Sequence, residues 1–253
     1  MKNALVTGYL NGMGKGTYEA LKKEGYHVIG WDILDEKDPV DVGSVEDVKA
    51  AIARFPEGFK LDAVALCAGI WSEAPFLQTT VEQWNALMNT NAFGVFNCLQ
   101  QLVPYMNKGG AFAIIASASA MRGVTFESAY SASKFAVSGL VEAVARELAA
   151  PPRRLRINAV CPFYVRTRMT DNALIEKERL TGIPVEESYR LEAAEVPLGY
   201  VAEKEDIGDF IVALLGPASR YVTGAVIPIT GGVHCGYGAV LSSYDVSNDS
   251  EEE

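Results

Sequence analysis

Two stretches of this chain, LDAVALCAG (61–69) and GAFAIIAS (110–117), are apolar at nearly every position rather than at every second one. An extended segment of that kind must bury both faces, which is the situation of a central strand in a parallel sheet covered by helices. NALVT (3–7), YHVIGWD (26–32), LRINAVCP (155–162) and AVIPI (225–229) read as further strands. Helical segments stand between them. Residues 13–24 form the first, closed by Gly25; Ser44 with Asp47 gives a capping-box signature for a helix through about Arg54; Thr80 with Gln83 opens one to about Met106. Residues 128–149 form a long helix stopped by Pro151-Pro152, residues 170–195 one or two amphipathic helices, and Glu203 to Asp206 open a helix through Leu215. Strands alternating with helices at this spacing predict an α/β protein built on a single doubly wound parallel sheet with helices on both faces.

At 253 residues the chain has room for one such domain, expected over 1–241, and not for a second. SSYDVSNDSEEE (242–253) is polar and acidic, and is expected to be a tail outside the core. The alternative is that residues 233–244, which include Tyr237 and Leu241, fold back over a substrate pocket. With 22 basic and 32 acidic residues the net charge is −10, which repels phosphate backbones and anionic bilayers. Neither nucleic acid nor a membrane is therefore an expected partner. The start, MKNALVTG, has no signal-peptide pattern, and no apolar run approaches a membrane span, so a cytoplasmic protein is expected. Cys67, Cys98, Cys161 and Cys235 stand alone without CxxC spacing, as free thiols of a reducing compartment do. His27 and His234 are the only histidines, so no metal site is expected and Ser-His-Asp chemistry has little material.

The first strand runs into TGYLNGMG, in which Gly8, Gly12 and Gly14 precede a helix. Glycines permit the tight turn and let backbone N–H groups approach a pyrophosphate at the helix N-terminus. A glycine-rich turn with no ligand is the plainer reading of the loop alone. Asp32 shifts the balance: it ends the second strand, 18 residues after Gly14, where a carboxylate can accept both hydroxyls of an adenosine ribose. Strand, loop, helix, strand and acid in that order describe a Rossmann-type dinucleotide site.

Further along, SAYSASKF (128–135) sets Tyr130 and Lys134 four residues apart, on one face of a helix. A phenol has a pKa of about 10, so using it as a base near pH 7 costs about 4 kcal/mol. An ammonium group about 4 Å away contributes roughly 4 kcal/mol at an effective dielectric near 20. One well-placed lysine is thus of the right size to make tyrosine a general acid/base. Ser117 ends a strand at the carboxyl edge of the sheet, 13 residues before Tyr130, where ligands of such sheets bind. Ser119 is a rival for the same place.

Together these segments resemble the short-chain dehydrogenase/reductase family over about residues 1–235. The family's catalytic tetrad matches Tyr130, Lys134, Ser117 and, within NTNAFG, Asn91. Its glycine signature matches Thr7 to Gly14, and so implies cofactor contacts from Gly8, Asn11, Gly12, Met13 and Gly14. Asp32, the DV pair Asp41 and Val42, Ala68 and Gly69 of LCAG, and Pro162, Val165 and Thr167 of the carboxamide-binding segment extend that list; Tyr130 and Lys134 close it. YVTG…GG matches Tyr221 to Gly232. The resemblance implies that Tyr130 exchanges a proton with the substrate oxygen and Lys134 lowers its pKa while holding the nicotinamide ribose. It further implies that Ser117 orients the carbonyl and Asn91 supports a water relay behind Lys134. The implied cofactor is NAD, and the implied assembly a homo-oligomer, tetramer or dimer, paired through the helices at 81–106 and 128–149. Those helices carry apolar residues around much of their circumference.

The chain also departs from the family pattern. Cys67 stands where a sheet-bracing asparagine is usual, and is expected to be a small buried hydrophobe. Phe163 replaces a glycine after Pro162, and Thr230 an aspartate before the final Gly-Gly. Only eight residues separate Asp32 from Asp41, too few for a crossover helix, so a third strand near Val40 is expected to be vestigial at most.

Trp71, Met121, Phe126, Phe163 and Tyr164 fall on segments that line the substrate side in this family; with Ser117 they imply an apolar, cyclic or steroid-sized alcohol or ketone. Half of such residues simply pack core, and Arg166 and Arg168 more often face solvent than a substrate carboxylate. Three readings follow: an NAD(H)-dependent alcohol dehydrogenase/ketone reductase for a small-molecule substrate, a carrier-protein 3-ketoacyl reductase, and a non-catalytic dinucleotide-sensing protein. The complete tetrad speaks against the last, and the acidic charge with Asp32 against the second.

Overall fold

The computed structural model describes residues 1–235 of the chain; the acidic tail and most of the 233–244 segment lie outside the described residues. Strand β1 (Asn3–Thr7) leads through the glycine loop into α1 (Gly12–Lys23), and β2 (His27–Trp31) returns parallel to it. Helix α2 (Val45–Ala53) begins at Ser44, whose hydroxyl accepts the Asp47 N–H, and delivers β3 (Leu61–Leu66) to the other side of β1. Then follow α3 (Val81–Leu87), α4 (Gly94–Leu102), β4 (Met106–Ile115), α5 (Ser128–Leu148) and β5 (Arg156–Pro162). A two-residue ladder joins β6 (Val165–Arg166) to β7 (Ala202–Glu203), with α6 (Arg168–Thr181) and α7 (Val185–Ala194) between them. Helix α8 (Lys204–Leu215) and β8 (Val226–Ile229) complete the described chain.

The sheet is parallel throughout, in the order β2-β1-β3-β4-β5-β8. Successive side chains of one strand feed opposite faces. Leu5, Val64, Phe112 and Ile157 pack under α2, α4 and α5 through Val48, Leu99 and Val141, while Val6, Ala65 and Ala113 meet α1 and α8 through Leu21, Ile207 and Ile211. This two-sided burial is why β3 and β4 lack polar alternation. No helix among the described residues is long and apolar enough to cross a membrane.

Several boundaries differ from the expectation, each for a local reason. The helix expected from Thr80 to Met106 is four pieces: α3, a π-helical turn over Met88–Phe93, α4, and a 3-10 turn over Val103–Tyr105 that contains Pro104. The strand expected from residue 110 already begins at Met106. The run 61–69 leaves the sheet after Leu66, because the Thr7 hydroxyl takes the N–H groups of Cys67 and Ala68 at 3.0 and 3.1 Å. No strand forms near Val40. Its N–H instead donates to the Asp32 carbonyl at 3.0 Å, closing residues 32–40 into a compact turn without any crossover helix. Residues 170–195 divide into α6 and α7 at Gly182, whose φ of +74° ends the first helix.

Candidate active site

Strand order reverses between β1 and β3, and their carboxyl ends open onto a cleft of about 550 Å3. A slightly larger hollow at the opposite edge, between the end of α1 and α8, holds none of the expected site residues. Gly8 has a φ of +69°, and a Cβ on Gly14 would collide with the Gly8 carbonyl oxygen, so the loop closes only with glycine at both places. The first helical bond of α1 is Lys15 N–H to the Asn11 carbonyl, and Asn11 makes no side-chain cap. The N–H groups of Gly12, Met13 and Gly14 are thus left without helical partners on the cleft wall, which is the donor set an anion takes at a helix N-terminus. Opposite them Asp32, 6% exposed, accepts the Leu10 N–H at 3.0 Å on one oxygen and the Leu34 N–H at 2.9 Å on the other. Each oxygen keeps a lone pair for a further donor. Backbone donors at one end and an anchored acid at the other fit a dinucleotide.

Of the expected cofactor residues, Gly8, Asn11, Gly12, Met13, Gly14, Asp32, Asp41, Val42, Ala68, Gly69 and Thr167 line this cleft. Tyr130, Lys134, Pro162 and Val165 do not; Pro162 and Val165 are buried, Val165 in the core on the α1 side, just before the Thr167 position. Cys67 also lines the cleft and is half-buried rather than buried; desolvation pushes its thiol up to about 12, so it stays protonated and unreactive.

The tetrad residues gather beyond Gly69. Ser117 caps a short 3-10 turn, its hydroxyl accepting the Ser119 N–H at 3.1 Å and hydrogen-bonded to the Tyr130 phenol. Lys134, one turn along α5, places Nζ 5.6 Å from the Tyr130 ring centroid and donates to the Ile115 carbonyl at 3.2 Å. The Asn91 side chain, in the π turn, accepts the Ile70 N–H and donates to the Ile70 carbonyl, both at 2.9 Å, and to Ser133 Oγ at 3.1 Å. A Cβ on Gly69 would sit 3.2 Å from Asn91 Oδ1 and 3.5 Å from Lys134 Nζ, so lysine, asparagine and cleft floor meet at that glycine.

Burial dominates the electrostatics of the tyrosine–lysine pair. Lys134 spends one Nζ proton on the Ile115 carbonyl while lying over the Tyr130 ring, and burial is the largest influence on the phenol. Burial pushes the Tyr130 phenol up to about 12, opposed by the Ser117 hydrogen bond and reinforced by Glu127, although the side chain is only half-buried. Lys134, 4% exposed, is pulled down by burial to about 8. Unfolded lysine holds its proton to about pH 10.4, so the folded state binds fewer protons and this group makes stability rise with pH from about 8 to 10.4. The buried thiols act oppositely once unfolded cysteine ionises, so the comparison must be with Lys134→Met. The stability advantage of wild type over that variant is expected to grow with pH, by up to about 1.4 kcal/mol per unit. A gap in melting temperature constant from pH 7 to 10 would show that Lys134 is not desolvated.

Among the residues expected to face substrate, the Trp71 indole N–H donates to Glu127 Oε1 at 2.8 Å, and Ser119 donates to Glu127 Oε2 at 2.7 Å. Glu127 therefore ties the loop after β3 to the turn before α5, a role the sequence did not signal beyond its place three residues before Tyr130. Phe126 beside it adopts φ +66°, a strained value for a bulky side chain, and its carbonyl accepts the Ala74 N–H at 2.8 Å. Phe163 and Tyr164 pack edge to face at 5.5 Å, and Tyr164 leans on Leu174, Tyr189 and Val201. Arg166 is taken by a two-pronged pair with Glu186 at 3.0 and 2.8 Å and by the Tyr189 ring. Sequence reasoning missed Ile33, Leu34, Ile70, Thr90 and Met169 on the cleft wall. Their signal was weak: apolar or neutral residues in loops, in the π turn (Thr90) and at the start of α6 (Met169), visible as cleft residues only once those segments are placed.

Comparison with known proteins agrees with this architecture. Residues 8–234 match the family model described as enoyl-(acyl carrier protein) reductase. The 3-oxoacyl-(acyl-carrier-protein) reductase FabG of Thermotoga maritima is 32% identical over 252 residues, covering 92% of this chain and 97% of the relative. The L-2,3-butanediol dehydrogenase of Corynebacterium glutamicum is 30% identical over 257 residues, covering 92% and 98%. Among solved structures, the aldohexose dehydrogenase of Thermoplasma acidophilum superposes with a TM-score of 0.87 at 26% identity, covering 93% of this chain and 95% of that one.

Proposed function

The chain belongs to the short-chain dehydrogenase/reductase family, and we propose that within it this oxidoreductase interconverts a secondary alcohol and a ketone with NAD(H). Its relatives bear the names of enzymes acting on quite different substrates, a carrier-protein thioester and a small diol among them, so the finer reading comes from the site. The observation that carries it is the grouping of Ser117, Tyr130, Lys134 and Asn91, the last two against Gly69, a residue of the cleft whose wall also carries free helix N–H groups and Asp32.

Gly12 to Gly14 would hold the pyrophosphate, Asp32 the adenosine ribose, and Lys134 the nicotinamide ribose. When bound, the nicotinamide supplies or takes up the hydride. The chain's own part is to orient and to move a proton. Ser117 positions the substrate oxygen beside the Tyr130 hydroxyl, and Tyr130 gives or takes the proton there. A phenol near 12 is already protonated at neutral pH, the form that ketone reduction needs. Both amide protons of Asn91 are committed to Ile70 and Ser133, so it serves a water relay through an oxygen, not as a donor.

The exposed Met121, Val124 and Phe126, on the segment whose Glu127 holds the Trp71 indole, favour an apolar or cyclic substrate. Supplying the purified protein with NAD+ and a panel of secondary alcohols, from short diols to steroids, and following NADH absorbance tests the reading. Oxidation of at least one cyclic or apolar alcohol is expected. NADH binding without turnover of any alcohol, or of the matching ketones, would leave the non-catalytic reading in its place. The carrier-protein ketoacyl reductase reading is supported by the FabG relative; it predicts reduction of an acetoacetyl thioester with NADPH, which the acidic surface and Asp32 disfavour. Free thiols throughout the described residues support a reducing, cytoplasmic setting. Phe96 on α4 and Phe135 on α5, 41% and 45% exposed in the single chain, support pairing through these helices into a dimer or tetramer. Sedimentation at micromolar concentration checks this, a stable monomer counting against it.

A further inference from the structure

The turn from Asp32 to Val42 forms the adenosine end of the cleft, and part of its support comes from a side chain that does not line the cleft. Tyr9 follows Gly8 in the glycine loop. Its ring lies on β2 at Gly30, where any Cβ would collide with it, and 5.1 Å from the ring of Tyr18. From that seat its hydroxyl donates to Asp35 Oδ2 at 2.6 Å. The other Asp35 oxygen accepts the Lys37 N–H at 3.0 Å and the Asp38 N–H at 3.3 Å. Asp35 thus gathers the far side of the turn, as Asp32 gathers the near side through Leu10 and Leu34.

Between the two acids stand Ile33 and Leu34, each 60% exposed and both on the cleft wall. Two apolar side chains held out from the core at the adenosine end of such a cleft suit the face of a flat base. In a shortened connection they have no strand or helix behind them. A turn left to fluctuate would have to be ordered whenever ligand binds, and that ordering costs affinity.

We propose that Tyr9 is a positioning residue for the adenosine half of the dinucleotide: through Asp35 it latches the Ile33–Leu34 turn to the glycine loop, in place of the strand and crossover helix that the short connection omits. This rests on the dinucleotide reading above. The latch is suited to a wide pH range. Its hydrogen bond to Asp35 holds the Tyr9 phenol up at about 12, so the donor keeps its proton, and the same bond holds the Asp35 carboxyl below its ordinary value, so the acceptor stays charged.

Isothermal titration of the full chain with ADP-ribose, NADH and reduced nicotinamide mononucleotide tests it. Tyr9→Phe keeps the ring on Gly30 and removes only the donor; Asp35→Asn weakens the acceptor. Each variant is expected to raise the Kd for ADP-ribose and NADH about tenfold, equivalent to about 1.4 kcal/mol. Mononucleotide affinity is expected to be unchanged, and the double variant no weaker than either single one, since both remove one interaction. The ligand-free melting temperature should move by no more than about 3 °C. Unchanged ADP-ribose affinity in both single variants overturns the latch and leaves the dinucleotide reading standing. An equal loss for the mononucleotide also overturns it, because that points to general softening of the fold. A wild-type protein that binds none of the three overturns the dinucleotide reading and the proposal with it.

Discussion

Replacing Tyr130 by phenylalanine is expected to cut turnover by about 10²–10⁴-fold in either direction, the usual worth of one well-placed acid/base group. The ring remains, so its packing beneath Lys134 and the shape of the cleft remain. What is lost is the hydroxyl that shares a hydrogen bond with Ser117. NADH affinity should stay within about twofold of wild type, because an interaction made only in the transition state affects kcat and not ground-state binding. The pH dependence adds a second signature. With the phenol near 12, reduction finds its proton in place at neutral pH, while oxidation needs the phenolate and should climb with pH across the neutral and alkaline range. Tyr130→Phe should abolish that climb together with the rate. Retention of more than a tenth of wild-type kcat, measured on the best substrate of the panel, would remove Tyr130 from the proton-transfer role.

The parts of this molecule that could be read in advance are those where sequence periodicity and backbone chemistry act locally. The unbroken apolar runs at 61–69 and 110–117 demand burial on both faces, and β3 and β4 lie in the middle of a helix-covered sheet. Gly8 is required by its positive φ and Gly14 by collision with the Gly8 carbonyl in the same loop, so their spacing is informative without any tertiary knowledge. Tyr130 and Lys134 share a helix face by geometry alone. What was not legible depends on partners distant in sequence. The π turn at Met88–Phe93 turns Asn91 inward onto the backbone of Ile70, a contact between segments that no helical periodicity announces. One partner of Lys134, the Ile115 carbonyl 19 residues away, is likewise invisible to helical spacing. The absent third strand was half visible: the count from Asp32 to Asp41 ruled out a helix, but only the structure shows the turn tied to the glycine loop through Asp32 and Tyr9.

That turn also decides the second large effect. NAD(H) is expected to exceed NADP(H) in kcat/KM by at least roughly a hundredfold, equivalent to about 2.7 kcal/mol. Asp32 offers one remaining lone pair per oxygen to the two ribose hydroxyls. A 2′-phosphate brings about −1.5 to −2 of charge and no proton to donate, so it loses these bonds and meets a carboxylate instead. The turn beside Asp32 gives it little in return, and Arg168, the arginine of the cleft lining, stands on the Thr167 side. From residue 32 to 42 the chain carries Asp32, Asp35, Glu36, Asp38 and Asp41 against the single cation Lys37. Arg54 neutralises Asp38 at 2.7 Å, and Lys15, the nearest cation on the glycine-loop side, leans toward Glu19 at 3.9 Å. Asp32→Ala should narrow the gap chiefly by weakening NAD(H), and by more than a lost ribose contact alone would, because the Leu10 and Leu34 N–H groups lose their acceptor together with it. Parallel initial-rate measurements with both cofactors on wild type and variant decide the matter. Equal use of NADH and NADPH by the wild-type protein would remove the ribose from Asp32.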